Sequence, residues 1–239
     1  MHNSVRRGAV GAQRGGPFGT AQRGGPFVLF QKGRPSVLFQ KGRPSVFPPT
    51  VSREKEIDMQ ATRQFIDTVA SPLGDLTLGS DGESLTGLWL DDQKYFMAGV
   101  GGVEQASGLA IFQETREWLA RYFEGRDPGL IPAVNPQGSD FRRRVWELLV
   151  EIPYGKLATY GELAQRIAAE KGIPKMSSRA VGGAVGHNPV SIIIPCHRVV
   201  GSNGSLTGYG GGIARKIALL KLEGVDMSKL TIPTKGTAL

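Results

Sequence analysis

From Gln64 onward the apolar and polar positions alternate in short runs. "QFIDTVASPLGDLTLGSDGESLTGLWL" predicts strands near 64–70, 74–80 and 84–90, broken at Ser71-Pro72 and at Asp81-Gly82, a pair suited to a tight hairpin turn. A loop is expected over Gly99-Val100-Gly101-Gly102, and then the period changes. Leu119, Tyr122 and Phe123 fall on one apolar side of a helix over Ile111–Phe123, with Gly125 as its stop. Beyond Pro136 the pattern is mostly helical. Phe141, Val145, Leu148 and Leu149 share one face of a helix that Asp140 can cap and Pro153-Tyr154-Gly155 breaks. Thr159 followed by Glu162 fits a capping box, opening a helix that carries Leu163 and Ile167 and stops near Lys171-Gly172. Ser177 or Ser178 can cap the next helix, "RAVGGAVG", ahead of Asn188-Pro189. The last helix, over 214–222, carries Ile217 and Leu220, is expected to expose Lys216 and Lys221, and ends at Glu223-Gly224 with the glycine as C-cap.

These elements predict a small α/β domain (an antiparallel sheet plus a helix) over 59–136, a mostly α domain over 137–228 and a flexible tail over 229–239. Two short helices joined by a tight connection are compatible with a helix-turn-helix. The second of them contains Ala180, Gly182, Gly183 and Ala184. Each interior glycine costs about 1 kcal/mol against alanine, so something offsets it. Small residues admit a close backbone approach, either from a neighbouring helix or from a nucleic-acid strand. Arg179, at the start of that helix, is a solvated charge or a contact to phosphate or base.

Residues 1–58 follow no such pattern. "AQRGGPF" stands at 12–18 and 21–27, and "VLFQKGRPS" at 28–36 and 37–45. These copies are too short for solenoid units, and their Gly, Pro and Arg content gives no periodic apolar face. An organelle-targeting peptide, a phosphate-touching basic arm and a flexible extension with the natural start near Met59 are the competing readings, the last being preferred.

Charge follows the same boundary. The chain carries +8; residues 1–58 hold ten Lys/Arg against three Asp/Glu, which leaves +1 for the rest. Nucleic acid would therefore be bound through a local patch and not a global field. No stretch approaches the ~20 apolar residues of a membrane span. The single cysteine, Cys196, excludes an internal disulfide and a cysteine-cluster zinc site, and the three histidines are too scattered for a histidine-based one. A reducing, soluble setting is expected.

Cys196 lies in "IIIPCHRVVGSNG". Preceded by an apolar run, it is either a small core hydrophobe or a reactive thiol. A free thiol with a pKa of about 8.5 needs a base or a positive field to react at neutral pH, and His197 is adjacent. Neighbours in an extended segment point to opposite faces, so a local turn or a bridging water is needed between them. "GSNGSLTGYGGG" then reads as a mobile linker or as a loop that shapes a pocket with Tyr209 as one wall.

"RAVGGAVGHNP" (179–189), "PCHRVV" (195–200) and "GYGGG…K…LL…EG" (208–224), in this order, resemble the O6-alkylguanine-DNA alkyltransferases, also called methylated-DNA–protein-cysteine methyltransferases. The likeness spans roughly 64–225 and is dense from 141 to 224. It implies an RNase H-like α/β domain followed by a winged helix-turn-helix-like domain. It also implies DNA repair by direct reversal, in which an alkyl group passes irreversibly from O6-alkylguanine, and from O4-alkylthymine, to the protein's own cysteine. Position by position, Cys196 matches the alkyl acceptor, His197 the base acting through a water, and Glu223 the acid that orients the histidine. Arg179 matches the residue that replaces the flipped base, Tyr160 the tyrosine on guanine and phosphate, Asn188 the organiser of the turn before the active-site strand, and Tyr209 the pocket wall. Ala180, Gly182 and Gly183 sit against the minor groove, and Arg198, Val199 and Lys216 support the site. The resemblance implies a monomer acting on double-stranded DNA, cytoplasmic in a bacterial host or nuclear in a eukaryotic one. It needs no cofactor, and no zinc is expected. The rival readings are a non-catalytic damage sensor, against which the presence of Cys196 argues, and a Cys–His acyl hydrolase, for which no oxyanion motif is present. A methylation-sensing regulator would need a cysteine-rich zinc module that the chain lacks.

Overall fold

The computed structural model describes residues 63–233, so the repeats and Met59 lie outside the described residues. Strands β1 (Gln64–Val69), β2 (Leu76–Ser80) and β3 (Leu85–Leu90) form where the alternation places them. Both pairings are antiparallel, with Phe65 opposite Ser80 and Leu76 opposite Leu90. The Asp81-Gly82 turn is a four-residue one, because the Asp81 Oδ1 accepts from the amides of Glu83 (3.1 Å) and Ser84 (2.8 Å). A fourth strand, β4 (Val103–Gln105), follows the expected loop and pairs with β1 in parallel, so the sheet is mixed, in the order β3-β2-β1-β4. β4 is three residues long and exposed, so it carries no apolar pattern to betray it.

Helix α1 (Ala110–Phe123) packs Phe112, Leu119 and Tyr122 into the core, and Arg116 ties it to Asp67 of β1 by a salt bridge. Helix α2 (Asp140–Val150) is capped by Ser139, one residue earlier than expected: its hydroxyl accepts from the Arg142 amide. Asp140 stands instead in the first turn, where its charge suits the helix dipole. The capping box forms as read, with Thr159 Oγ1 accepting from the Glu162 amide and Glu162 Oε2 from the Thr159 amide (2.7 Å). It opens α3 (Tyr160–Glu170), preceded by the two-residue strand β5 (Ala158–Thr159). Ser177 caps α4 (Ser178–Gly186), and α5 covers Ile213–Leu222. β6 (Val199–Val200) pairs with β5 in parallel.

One continuous core joins the two halves: Leu88, Phe112 and Tyr122 of the first pack with Trp146, Ile167, Val185 and Ile194 of the second. Trp146 Nε1 reaches from α2 to the Ala184 carbonyl of α4 (2.9 Å). Arg215 of α5 reaches back to the Leu73 and Asp91 carbonyls. The segment expected as a flexible tail begins in contact with the fold, since Thr231 hydrogen-bonds with Gly204 and Leu206; residues 234–239 lie outside the described residues.

Candidate active site

The apolar run of three isoleucines before Cys196 folds as a turn. The Ser191 amide donates to the Leu88 carbonyl of the first half (2.8 Å), and Ile192 then adopts φ +69°. That conformation is unusual for a β-branched side chain and costs about 1–3 kcal/mol. Asn188 holds the turn together. Its Nδ2 donates to Ile194 O (2.8 Å) and to Cys196 Sγ (3.1 Å), and its Oδ1 accepts from the Val190 amide (3.1 Å). Cys196–Arg198 then makes a single 3-10 turn before β6. The segment carrying Cys196 and His197 is therefore a tight turn and not an extended strand.

The site beneath is a buried ionic cluster. Glu223, at the end of α5, accepts five hydrogen bonds. Oε1 takes the Tyr122 hydroxyl (2.7 Å), His197 Nε2 (2.7 Å) and Arg198 Nη2 (3.0 Å). Oε2 takes Arg198 Nε (2.9 Å) and the Gly155 amide (3.0 Å). Burial alone would neutralise this carboxyl, but the hydrogen bonds and charges of His197 and Arg198 hold it well below the usual carboxylate range. An ionised carboxylate only accepts, so the proton of a neutral His197 sits on Nε2. Nδ1 is left as a bare lone pair, buried and without a partner. Burial also lowers the histidine's own pKa, which Glu223 opposes, and raises that of the Cys196 thiol. The Asn188 hydrogen bond and the charge of Lys216 pull the thiol back down.

Lys216 departs from expectation. It is fully buried, not exposed, and its Nζ donates to Val199 O (2.6 Å) and Thr207 O (3.0 Å), with burial pushing its pKa down to about 8. Val199 meets this ammonium through its carbonyl. Arg198 clamps Glu223 and the Ile152 carbonyl (2.7 Å).

Tyr209 is buried near the thiol with its ring edge-on to His197, its hydroxyl unpartnered. The Tyr160 hydroxyl donates to the Thr207 carbonyl (3.1 Å), and a side chain on Gly208 (φ +82°) would lie 2.5 Å from its oxygen. The glycine-rich loop is therefore seated against the site, not a free linker. Arg179, Ala180 and Gly183 are exposed on α4, apart from the buried cluster. A Cβ on Gly182 would make ordinary contact with Tyr160, whereas one on Gly183 would meet nothing within 4 Å. Packing inside the molecule does not account for Gly183.

Two groups of the site carry no signal of their role in the sequence. Tyr122 reads only as part of an apolar helix face, yet its hydroxyl enters the Glu223 cluster from 101 residues away. The Gly155 amide reads only as part of a helix break; there φ is +68° and a Cβ would strike the Glu223 carbonyl at 2.8 Å. Periodicity reports which side is buried and not which distant group a buried hydroxyl meets. Among the described residues no group of three or more His, Cys, Asp or Glu side chains could hold a metal ion.

Two family profiles match the chain: the ribonuclease-like domain of 6-O-methylguanine DNA methyltransferase over residues 65–130 and its DNA-binding domain over 140–225. The methylated-DNA–protein-cysteine methyltransferase of Mycolicibacterium paratuberculosis is 45% identical over 156 residues, covering 65% of this chain and 90% of the relative. That of Haemophilus influenzae is 45% identical over 169 residues, covering 70% and 87%. The crystal structure of Mycobacterium tuberculosis OGT in complex with DNA superposes with a TM-score of 0.57 at 41% identity, over 70% of this chain and 94% of that one. The crystal structure of Mycobacterium tuberculosis O6-methylguanine methyltransferase gives a TM-score of 0.54 at 40% identity, over 67% and 92%. With both halves matched in order and the relatives covered almost end to end, the chain belongs to the O6-alkylguanine-DNA alkyltransferases, the methylated-DNA–protein-cysteine methyltransferase family.

Proposed function

We propose that this chain repairs DNA with Cys196 as the acceptor of a methyl or larger alkyl group from O6-alkylguanine, and from O4-alkylthymine, in duplex DNA. The observation that carries this is the Asn188–Cys196 hydrogen bond beside a histidine whose tautomer leaves Nδ1 bare. In the reaction the thiol proton passes to His197 Nδ1 through a water. Sγ forms a bond to the alkyl carbon as the carbon–O6 bond breaks. The electron pair goes to the base, which regains one proton, so guanine and an S-alkylcysteine are the products. The thioether has no leaving route back, and each chain reacts once. Glu223 orients the imidazole, and a positively charged Lys216 favours the thiolate.

The alkylated base must leave the stack to reach a thiol that is 6% exposed. Exposed Arg179 fills the gap, while Ala180 and Gly183 let α4 lie close to the minor groove. Tyr160 meets the flipped base and its phosphate, and Tyr209 walls the pocket. A free thiol as reactant suits the reducing cytoplasm, and among the described residues no helix is long and apolar enough to cross a membrane.

Peptide mass spectrometry after mixing with a duplex carrying one O6-methylguanine tests this. The peptide bearing Cys196 gains one methyl group, saturating at one per chain, and Cys196→Ser binds the duplex without gaining mass. Binding of the damaged duplex with no mass shift in the unmodified chain would leave a sensor and overturn the proposal.

A further inference from the structure

The Tyr122 ring needs no hydroxyl to be held in place. It stacks on Trp118 (centroids 5.4 Å apart, 8° between planes) and takes Phe123 and Tyr154 edge-on at 5.5 and 6.0 Å. Phenylalanine would satisfy all three contacts. The hydroxyl is fully buried, a position that is costly for a polar group unless it is hydrogen-bonded. Its partner is the carboxylate oxygen that also receives His197, and the hydroxyl lies 3.4 Å from the imidazole nitrogen itself.

We propose that Tyr122, carried by α1 in the first half of the chain, is a positioning residue of the alkyl-transfer centre, its hydroxyl sharing Glu223 Oε1 with His197 so that the imidazole stays neutral with Nδ1 free for the thiol proton. The inference rests on the roles given above to Cys196 and His197. A carboxylate oxygen shared among three donors, here Tyr122, His197 and Arg198, offers less charge to each. Without the tyrosine, Glu223 turns more of its charge toward His197 and stabilises the imidazolium, which cannot accept a proton. The other groups acting on the imidazole are Arg198, Lys216 and the edge of Tyr209, and all remain in a Tyr122→Phe chain. The two cations among them oppose the imidazolium and bound the change.

Single-turnover transfer rates of the full chain on an O6-methylguanine duplex, measured across pH, test the proposal. For Tyr122→Phe the acid limb of the profile moves up by about one pH unit, so transfer is about tenfold slower at the acid end, below the folded value of His197, and approaches the parent rate at about pH 8.5. Tyr154→Phe is the control: its hydroxyl bonds to the Leu222 carbonyl (3.3 Å) and not to Glu223, and its profile overlays the parent. A second measurement, the NMR titration of the His197 imidazole in Tyr122→Phe, shows a raised midpoint. A rate lowered by one factor at every pH, or an unmoved profile and midpoint, would overturn the proposal. Failure of the unsubstituted chain to transfer at all would instead overturn the assignment of Cys196.

Discussion

Lys216 donates to Val199 and Thr207 carbonyls that edge the site, and its charge favours the thiolate of Cys196. Lys216→Met keeps the length of the side chain and removes that charge. The thiol then holds its proton more tightly. Transfer at neutral pH therefore slows about tenfold, as single-turnover kinetics would register. The same residue marks where a sequence reading stops. In "IARKIALLKL" a lysine reads as surface because a buried ammonium is costly, and nothing local announces two carbonyls waiting 9 and 17 residues upstream. The His197–Glu223 pair is legible for a different reason: both residues sit in ordered motif blocks with Cys196, and the proposed nucleophile–base–orienter chemistry restricts which residue types can fill them. Tyr122 is visible only as an apolar position, since its hydroxyl matters through a contact formed by the fold.

Among the elements, the hairpins and helices are readable because their signals are local: the Thr159–Glu162 capping box, the glycine at Gly172 and the alternation in β1 to β3. The turn from Ser191 to Ile194 is not. Three consecutive isoleucines favour a strand by propensity, and tertiary bonds from Asn188 and Leu88 override it. Helix α4 is ambiguous in sequence between packing and close approach. Because a side chain at Gly183 would meet open space, Gly183→Ala costs no steric repulsion and removes the flexibility penalty. It stabilises the chain by about 0.5–1 kcal/mol, seen as a rise in the midpoint of thermal unfolding.

At the scale of the molecule, the Glu223 cluster stitches together α1, the Gly155 turn, the thiol turn and the end of α5. Its titration therefore reaches the whole fold. His197 is held below its ordinary value, so below about pH 6.5 the unfolded chain takes up a proton that the native histidine resists, and stability falls as pH drops toward the folded value. Glu223 is likewise held low, so a second loss begins below about pH 4.3 and continues down through its folded value. Chemical denaturation at stepped pH should show both declines. Fluorescence of Trp118 and Trp146, which lie in the same core, should change together at each pH.

That shared cluster bears on how much damage a population of these molecules can remove. A turning-over catalyst that loses half its folded copies works at half speed and still finishes. A protein consumed by its reaction has no second pass, so every copy whose Tyr122–Glu223–His197 contacts come apart subtracts one lesion from the total that can ever be cleared. Here conformational stability sets a capacity and not merely a rate, and a substitution remote in sequence from Cys196, on α1 or at Gly155, would be read by the cell as a smaller dose of repair.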